Sequence, residues 1–429
     1  MLLTEYRLDL VVQALRTILP LEHPADTSLR YFFQAERIGS NERTLVAETV
    51  FGVLRHRLLL EHGCGEQTTP RRLALAYWVR FGGYNLRELT PLLKPTESEW
   101  LVQVKSLKLE ELPLSLQAEL PDWIIEKLRS HYNEAEILAI GQSMQQVAGL
   151  DLRVNTHLAN RSEILAGLES EGVTAEATPY SPIGIRVKGK PALNKSSMFE
   201  AGKFEVQDEG SQLLGFMVAP KRNEMVVDFC AGAGGKSLML GAMMNSQGRL
   251  YALDVSEKRL ANLKPRLKRS GLSNLQPQLI AHENDIKVKR LAGKIDRVLV
   301  DAPCSGMGTL RRNPDLKFRQ SPKSVAELTQ KQGNILASAS KLLKKGGRLV
   351  YATCSLLHEE NEGIVEAFLA AHPDFKLLPA GEVLVQQKIP LEMGDYLRLF
   401  PQKHGTDGFF AAVMERSTTK EQATPDNTD

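Results

Sequence analysis

The chain has 429 residues, of which 42% are hydrophobic and 24% are charged, and its formal net charge is +3. This length accommodates a catalytic domain with one or two accessory domains, and the composition is that of an ordinary globular protein. A net charge this small excludes nucleic-acid binding through overall charge alone. Any RNA or DNA partner would have to be bound by local basic patches.

The N-terminal sequence and the cysteines indicate the cellular setting. Charged residues interrupt the first twenty positions, which lack the apolar run of a signal peptide, and no segment approaches the ~18 apolar residues of a membrane span. The four cysteines, Cys64, Cys230, Cys304 and Cys354, are far apart and form no C-x-x-C pair. We therefore expect a cytoplasmic protein with free thiols, no bound metal and no membrane partner.

Hydrophobic periodicity divides the chain into four parts. Residues 1–145 carry apolar side chains at helical spacing and predict a helical domain. Residues 146–205 alternate strand and helix patterns and predict a small α/β module. Residues 206–416 alternate apolar strands with helices, which is typical of a mostly parallel, doubly wound sheet. The polar residues 417–429 are predicted to be a disordered tail.

A glycine-rich segment, residues 228–237, follows a predicted strand and opens a predicted helix. Glycines let the backbone turn tightly there and bring the N–H groups of a helix close to a ligand. A P-loop would need a glycine where this chain has Cys230. The dinucleotide-binding fingerprint that starts at Gly232 would need Gly or Ala where this chain has Ser237. The segment fits neither motif completely.

An S-adenosylmethionine site is the third interpretation of this segment, and a structural turn with solvated acids is the alternative to all three. Asp254 ends the next predicted strand, about twenty residues beyond the glycines, where an acid can accept hydrogen bonds from ribose hydroxyls. Asp285 follows the third predicted strand and could hold the adenine amino group. We predict that S-adenosylmethionine is bound by Cys230, Ala231, Gly232, Ala233, Gly234, Gly235, Lys236, Asp254, Asp285 and Asp301.

Two cysteines follow the fourth and fifth predicted strands, Cys304 in the run Asp-Ala-Pro-Cys and Cys354 in the run Thr-Cys-Ser. The carboxyl ends of parallel strands meet beside the ligand crevice. Carbon 5 of a pyrimidine is a poor nucleophile until a thiolate adds to carbon 6. Asp301 could supply or stabilise a proton at ring nitrogen 3, aided by Lys236. A single cysteine is usually a small buried hydrophobe, but two beside a methyl donor favour catalysis.

From about residue 150 to 416 the chain resembles the Sun/Fmu family of RNA cytosine-5 methyltransferases, the group that contains ribosomal RNA small subunit methyltransferase B. The resemblance implies a Rossmann-like class I methyltransferase domain. The chain departs from the family at Gly232 and Ala233, where the cofactor loop usually has Ala and Pro. The motifs occur in the family's order, at residues 206–211, 228–237, 301–306, 311–315, 353–355, 360–362 and 407–410.

The resemblance also implies a role for each cysteine. In the family the cysteine of the Thr-Cys motif is the nucleophile, and the cysteine of the Pro-Cys motif helps to release the product. Carried over, Cys354 attacks the base and Cys304 assists. DNA cytosine-5 methyltransferases attack from their Pro-Cys cysteine instead, so a chain with both motifs is expected to act on RNA.

The expected partner is therefore RNA in which the target base can be unstacked, such as a single strand or a loop. Residues 39–43 and 50–55 resemble a NusB-like helical RNA-binding domain, and residues 146–205 are expected to be an RNA-recognition-like module. Arg311, Arg312 and Lys317 are the candidate phosphate contacts, with a solvated helix face as the alternative.

Three functions remain open at this point. The resemblance favours methylation of small-subunit ribosomal RNA, and tRNA is the alternative substrate. A non-catalytic RNA-binding assembly factor is the rival from another class, but such a protein would need neither Cys304 nor Cys354.

Overall fold

The computed structural model of the protein describes residues 2–418 and divides into two compact units. The first unit comprises the residues up to Val147 together with Thr309–Pro322, and the second comprises Ala148–Gly308 together with the residues from Lys323 onward. The predicted disordered tail, residues 417–429, lies outside the described residues from position 419 on.

The described residues form the following elements. The α-helices are α1 (Glu5–Ile18), α2 (Ala25–Ala35), α3 (Ser40–Arg55), α4 (Arg57–Cys64), α5 (Pro70–Arg80), α6 (Leu86–Leu89), α7 (Ser98–Ser106), α8 (Leu114–Ala118), α9 (Asp122–Arg129), α10 (Glu134–Met144), α11 (Arg161–Ser170), α12 (Ser197–Glu200), α13 (Glu209–Val218), α14 (Gly235–Met243), α15 (Glu257–Ser270), α16 (Ile286–Lys289), α17 (Leu316–Arg319), α18 (Pro322–Ser340), α19 (Glu362–Ala371), α20 (Ala380–Gln386) and α21 (Pro401–His404). The strands are β1 (Leu150–Val154), β2 (Ala175–Ala177), β3 (Gly184–Val187), β4 (Phe204–Val206), β5 (Met225–Asp228), β6 (Arg249–Asp254), β7 (Leu275–Leu279), β8 (Ile295–Asp301), β9 (Leu343–Thr353), β10 (Phe375–Leu378), β11 (Leu397–Leu399) and β12 (Phe409–Arg416).

The first unit is a bundle of helices, α1 to α10, to which the segment with α17 belongs. In α1 the apolar residues Leu8, Val11 and Leu15 recur every three or four positions, so one face of the helix is buried. The hydroxyl of Thr4 accepts a hydrogen bond from the backbone of the first turn and caps this helix. Trp78 is fully buried in the bundle, and its indole N–H donates to Thr49 at 2.9 Å.

The first unit also corrects one prediction about RNA contacts. Lys317 is buried, and its ammonium group donates to the backbone carbonyls of Arg55 and Glu119, each at 2.8 Å. It also lies 3.3 Å from Oε2 of Glu119. An ammonium group with these partners is not available to a phosphate, so the prediction for Lys317 is wrong. Arg311 is buried too, and its carbonyl accepts from Arg55.

Arg312 is the partly exposed member of the predicted cluster, and its contact with phosphate stays a prediction. The cluster as a whole therefore gives no exposed basic surface made of all three residues. Burial explains the difference, because the segment that carries these side chains packs as part of the helical unit.

The second unit contains a small antiparallel sheet with the strand order β2-β3-β1-β4. Its apolar side chains pack with α11 around Leu152, Ile164 and Phe204. Arg153 on β1 is also buried, and its guanidinium donates to Gln207 at 2.6 Å and to the carbonyl of Gly235 at 2.5 Å. The small sheet thereby contributes a side chain that fixes the first residue of α14.

The larger sheet of the second unit has eight strands. Its order is β10-β12-β9-β8-β5-β6-β7, with β11 paired to β12. The strands β5 to β9 run parallel, whereas β12 is antiparallel to β9, β10 and β11. This arrangement confirms the predicted Rossmann-like fold with a mostly parallel, doubly wound sheet.

The parallel strands are apolar along their length because both faces of the sheet are covered. Val226 and Leu250 belong to the core on one face, and Val227 and Leu253 belong to the core on the other. The chain order reverses between β5 and β8, which are neighbours. A ligand crevice is expected outside the carboxyl ends of strands at such a switch point.

Two further properties concern only the residues that the structure describes. None of their helices is long and apolar enough to span a lipid bilayer. Residues 2–418 also contain no group of three or more His, Cys, Asp or Glu side chains arranged to hold a metal ion.

Candidate active site

A cavity of about 530 Å³ lies where the loops after β5, β6, β8 and β9 meet in the second unit. This volume is in the range of roughly 300–1,000 Å³ that small-molecule sites occupy. Most of the residues predicted for the cofactor and the chemistry line it, namely Cys230, Ala231, Gly232, Ala233, Gly235, Lys236, Asp254, Asp301, Cys304 and Cys354. Gly234 and Asp285 are predicted cofactor residues that do not line it.

The glycine loop between β5 and α14 is shaped by two left-handed residues. Gly232 has a φ of +56° and Gly234 a φ of +79°, a conformation that side chains disfavour. A Cβ atom on Gly234 would also lie 2.2 Å from Leu263. Gly234 therefore serves the turn and the packing against α15, and it does not line the cavity.

The acid at the end of β6 is built into the glycine loop. Asp254 is 3% exposed, and its Oδ2 accepts from the backbone N–H of Gly232 at 2.8 Å. Its Oδ1 accepts from the N–H of Ser256 at 2.7 Å. The carboxylate thus ties the loop after β5 to the loop after β6 while it lines the cavity. Its contact with a ribose stays a prediction.

Asp285 occupies a different setting from the one predicted. Its carboxylate accepts from the backbone N–H groups of Ala281 and Lys287 at 2.7 and 2.8 Å and caps α16. These two hydrogen bonds lower the pKa of Asp285. The acid that lines the cavity in this loop is Glu283, which the sequence analysis did not consider. A contact between Asp285 and adenine therefore remains a prediction that the cavity lining does not support.

Asp228, the least exposed acid that lines the cavity, is also not among the predicted cofactor residues. Asp228 ends β5 and is 1% exposed, and its Oδ2 accepts from Ser237 at 2.6 Å. Its Oδ1 is buried and has no hydrogen-bond partner in the described part of the chain. Burial raises the pKa of Asp228 to about 7. A buried carboxylate oxygen without a donor can be satisfied by a hydrogen-bond donor of a bound ligand. A cationic amine would be the strongest such donor.

The cavity therefore fits S-adenosylmethionine. Asp228 offers an acceptor for the amino group of the methionine part, and Asp254 offers a carboxylate at the position expected for the ribose. The side chains of Val255, Ile280 and Ile335 add apolar surface suited to an adenine ring. Backbone N–H groups at the start of α14 lie in the same loop.

Lys236 and Asp301 form an ion pair in the wall of the cavity. The Nζ of Lys236 lies 2.6 Å from Oδ2 of Asp301, and the lysine is 5.8 Å from the centre of the Phe409 ring. Burial opposes the charge on Lys236, but the carboxylate of Asp301 outweighs that effect and raises the pKa of the lysine. The ammonium group is therefore held charged beside Asp301, as the predicted pairing requires.

The two predicted cysteines are brought together. Sγ of Cys304 and Sγ of Cys354 are 3.4 Å apart, although 50 residues separate them in the chain. The hydrogen bond to Cys354, together with burial, raises the pKa of Cys304 well above its usual range. Cys304 thus holds its proton while it faces Cys354, so the pair can provide one nucleophile and one proton carrier.

Cys230 also lines this cavity, but its environment does not favour the reactive thiolate. Burial raises the pKa of its thiol. It is therefore suited to a packing role in the cofactor loop, and its thiol is poorly suited to nucleophilic attack.

Sequence comparison identifies the family. Residues 215–415 match the family model described as 16S rRNA methyltransferase RsmB/F, and residues 120–194 match the model of an RsmF/B-like ferredoxin-like domain. A probable ribosomal RNA small subunit methyltransferase B from Synechocystis sp. is 34% identical over 72% of this chain and 69% of its own length. The ribosomal RNA small subunit methyltransferase B of Sodalis glossinidius is 33% identical over 89% of this chain and 91% of its own length.

Solved structures agree with this assignment. The crystal structure of PH0851 superposes with a TM-score of 0.79, is 27% identical and covers 97% of this chain and 100% of its own. A methyltransferase homolog protein from Pyrococcus horikoshii has a TM-score of 0.57 and is 26% identical over 69% of this chain and 100% of its own. The protein is a methyltransferase whose cofactor is S-adenosylmethionine. The chain belongs to the RsmB/F family of 16S rRNA methyltransferases.

Proposed function

We propose that the protein methylates carbon 5 of a cytosine in small-subunit ribosomal RNA through a covalent adduct between Cys354 and carbon 6 of the base. One observation carries the proposal: the 3.4 Å approach of the Cys304 and Cys354 sulfurs at the cofactor cavity. Two thiols at this separation, beside a partly buried ion pair, match the requirements of addition to carbon 6 followed by elimination.

The proposed reaction assigns one task to each side chain. The thiolate of Cys354 adds to carbon 6, and the electron pair of the C5–C6 double bond makes carbon 5 nucleophilic. Nitrogen 3 takes up, through the carboxyl group of Asp301, the proton that Asp301 shares with Lys236, and returns it as the methyl group is transferred. S-adenosylmethionine supplies the methyl group. Cys304, directly or through a water, then takes the proton from carbon 5 as its own thiol proton passes to the departing sulfur of Cys354, 3.4 Å away. The C5–C6 double bond re-forms, and Cys354 leaves as a thiol that loses its proton to solvent before the next turnover.

Lys236 acts on this reaction through Asp301. Its ammonium group, 2.6 Å from Oδ2, fixes the carboxyl group of Asp301 in the cavity wall and balances its charge. Such an arrangement holds a proton-transferring group within reach of one atom of the base, which is the geometric requirement for general acid–base catalysis.

The substrate assignment rests on the relatives. Those from Synechocystis sp. and Sodalis glossinidius are both named as methyltransferases of small-subunit ribosomal RNA. The target cytosine has to leave its stack before it reaches the cavity, which favours a single-stranded or loop region. We assign RNA binding outside the cavity to the helical unit and to the small antiparallel sheet.

Bisulfite sequencing of total RNA tests this proposal. RNA is compared from cells that have the gene, cells that lack it, and cells that carry the Cys354→Ala variant. The proposal predicts that one or more cytosines of small-subunit ribosomal RNA resist bisulfite conversion in cells that have the gene. These cytosines should be converted in cells that lack the gene and in cells that carry the variant. Loss of protection in tRNA alone would reassign the substrate. Unchanged protection in every RNA would overturn the proposal in favour of an assembly factor.

A further inference from the structure

We propose that Glu360 is a positioning residue that joins the loop after β8, which carries Cys304, to the loop after β9, which carries Cys354. By holding these two loops together it sets the distance between the two thiols. The hydrogen bonds of the Glu360 carboxylate go to Ser305, Ser355 and Gln332, and its role is to hold the two loops. The catalytic consequence rests on the function proposed above, whereas the geometric claim about the two loops does not.

The carboxylate of Glu360 receives four hydrogen bonds from two loops and one helix. Oε1 accepts from the backbone N–H of Ser305 at 2.8 Å and from the amide of Gln332 on α18 at 3.0 Å. Oε2 accepts from the hydroxyl of Ser305 at 2.5 Å and from the hydroxyl of Ser355. Glu360 is 0% exposed, so water cannot replace these donors.

These donors lie directly beside the thiols. Ser305 follows Cys304 in the chain, and Ser355 follows Cys354. The amide of Gln332 donates at 3.0 Å both to Glu360 and to the carbonyl of Pro303, which precedes Cys304. The Cys304 loop is therefore held on both sides of the cysteine, and the Cys354 loop is joined to it through the same carboxylate.

A carboxylate is well suited to this position because it only accepts hydrogen bonds. Each of the two carboxylate oxygens of Glu360 accepts two hydrogen bonds, which uses the full accepting capacity of the group. An alanine at this position leaves the four donors without a shared acceptor. All four donors are neutral, so none of them supplies a positive charge to offset the cost of burying the carboxylate. A buried carboxylate held by neutral donors is costly for packing alone, which points to a role in fixing the two loops relative to each other.

Glu209 offers a matched control. It is also 0% exposed, and its Oε1 accepts from the backbone N–H groups of Tyr180 and Ser181, each at 2.7 Å. Glu209→Ala therefore removes a buried, multiply bonded carboxylate from the same unit without touching the cysteine loops. Glu360→Gln serves as the conservative variant, because its amide retains one acceptor oxygen and can donate to a serine hydroxyl.

The first measurement is the rate at which the full-length protein forms a Cys304–Cys354 disulfide with diamide. Diamide takes up the two electrons and two protons that the thiols lose, and peptide mapping identifies the pair. The second measurement is methyl transfer to small-subunit ribosomal RNA, with kcat and the KM for S-adenosylmethionine determined separately. The disulfide rate depends on the geometry of the loops and on the thiolate fraction of the cysteines. Because the charge of Glu360 helps to raise the pKa of Cys304, its removal alone should speed the reaction, so a slower rate reports a change in the loops.

Glu360→Ala should slow disulfide formation by about tenfold or more and lower kcat by about 100-fold, as expected for a displacement of roughly 1 Å, with the KM for S-adenosylmethionine unchanged. Glu360→Gln should recover part of both losses, and Glu209→Ala should leave the disulfide rate unchanged. If Glu360→Ala does not fold, the double variant Ser305→Ala/Ser355→Ala takes its place, because it removes both hydroxyl donors.

The outcomes separate the two claims. Disulfide formation at the wild-type rate in Glu360→Ala, or in the serine double variant, would overturn the positioning role of Glu360. An equal loss in Glu209→Ala would also overturn it, because any buried carboxylate would then have the same effect. If the wild-type protein transfers no methyl group to RNA, the proposed function fails, and the disulfide rates alone decide the role of Glu360.

Discussion

The Nζ of Lys236 lies 2.6 Å from Oδ2 of Asp301, so an ion pair joins the cofactor loop to the loop that carries Cys304. The first residue of the pair comes from the start of α14 and the second from the end of β8. One charge pair therefore links the residues that surround the methyl donor with those that surround the base.

Loss of Asp301 should slow methyl transfer more than loss of Lys236. Asp301→Asn should lower the single-turnover rate by about 10²–10⁴-fold, the usual contribution of a proton-transferring group. Lys236→Met should lower the single-turnover rate by a smaller factor. The double variant should be little slower than Asp301→Asn, because the two residues act as a unit. Lys341→Met, an exposed lysine just before β9, is the control. A wild-type rate in Asp301→Asn would remove Asp301 from the reaction.

Asp254 should contribute to cofactor affinity. Asp254→Ala should weaken S-adenosylmethionine binding by about 1–3 kcal/mol, because it removes a charged acceptor from the cavity and releases the N–H groups of Gly232 and Ser256. Isothermal titration calorimetry on the folded variant measures the change. An unchanged affinity would show that Asp254 only shapes the loop.

Asp228 should make the stability of the ligand-free protein depend on pH. Burial raises the pKa of Asp228 to about 7 in the folded protein, whereas an unfolded chain releases this proton near about 3.9. Between these values the folded state binds the extra proton, so the contribution of Asp228 to stability is lost as the pH rises from about 4 to about 7. Asp228→Asn should flatten this part of a plot of Tm against pH. Parallel plots for the two proteins would contradict the assignment.

Lys317 should matter for stability. Burial lowers the pKa of Lys317 and raises the pKa of Glu119, yet their close contact favours the charged pair. Lys317→Met should lower the free energy of unfolding by about 3–5 kcal/mol, because the carboxylate of Glu119 then stays buried without its cation, held by the N–H groups of Leu58 and Leu59. The double variant with Glu119→Gln should recover much of this loss in urea denaturation. A single variant as stable as the wild type would mean that the pair contributes little.

The parts of the fold and site that follow short-range rules could be predicted from the sequence. The strands β5, β6, β8 and β9 were predictable because burial on both faces makes them continuously apolar. The meeting of Cys304 and Cys354 was predictable in outline, since the ends of parallel strands share one edge of the sheet. Their 3.4 Å separation was not, because it depends on loop contacts.

The remaining features depend on partners that are distant in the chain. Lys317 looks like any surface lysine in the sequence, and its partner Glu119 is 198 residues away. The hydrogen bonds of Glu360 involve Ser305, 55 residues earlier, so only its place in the family motif drew attention to it. Asp228 ends an apolar strand, and only the structure shows that one of its oxygens is buried without a donor.

The division of labour between the two cysteines is the central claim, and trapping the covalent adduct tests it most directly. Cys304→Ala and Cys354→Ala are each incubated with small-subunit ribosomal RNA and S-adenosylmethionine and then separated on a denaturing gel. The account predicts that Cys304→Ala attacks and methylates but stalls as a protein–RNA adduct, whereas Cys354→Ala never forms one. An adduct with Cys354→Ala and none with Cys304→Ala would contradict the account by reversing the two roles.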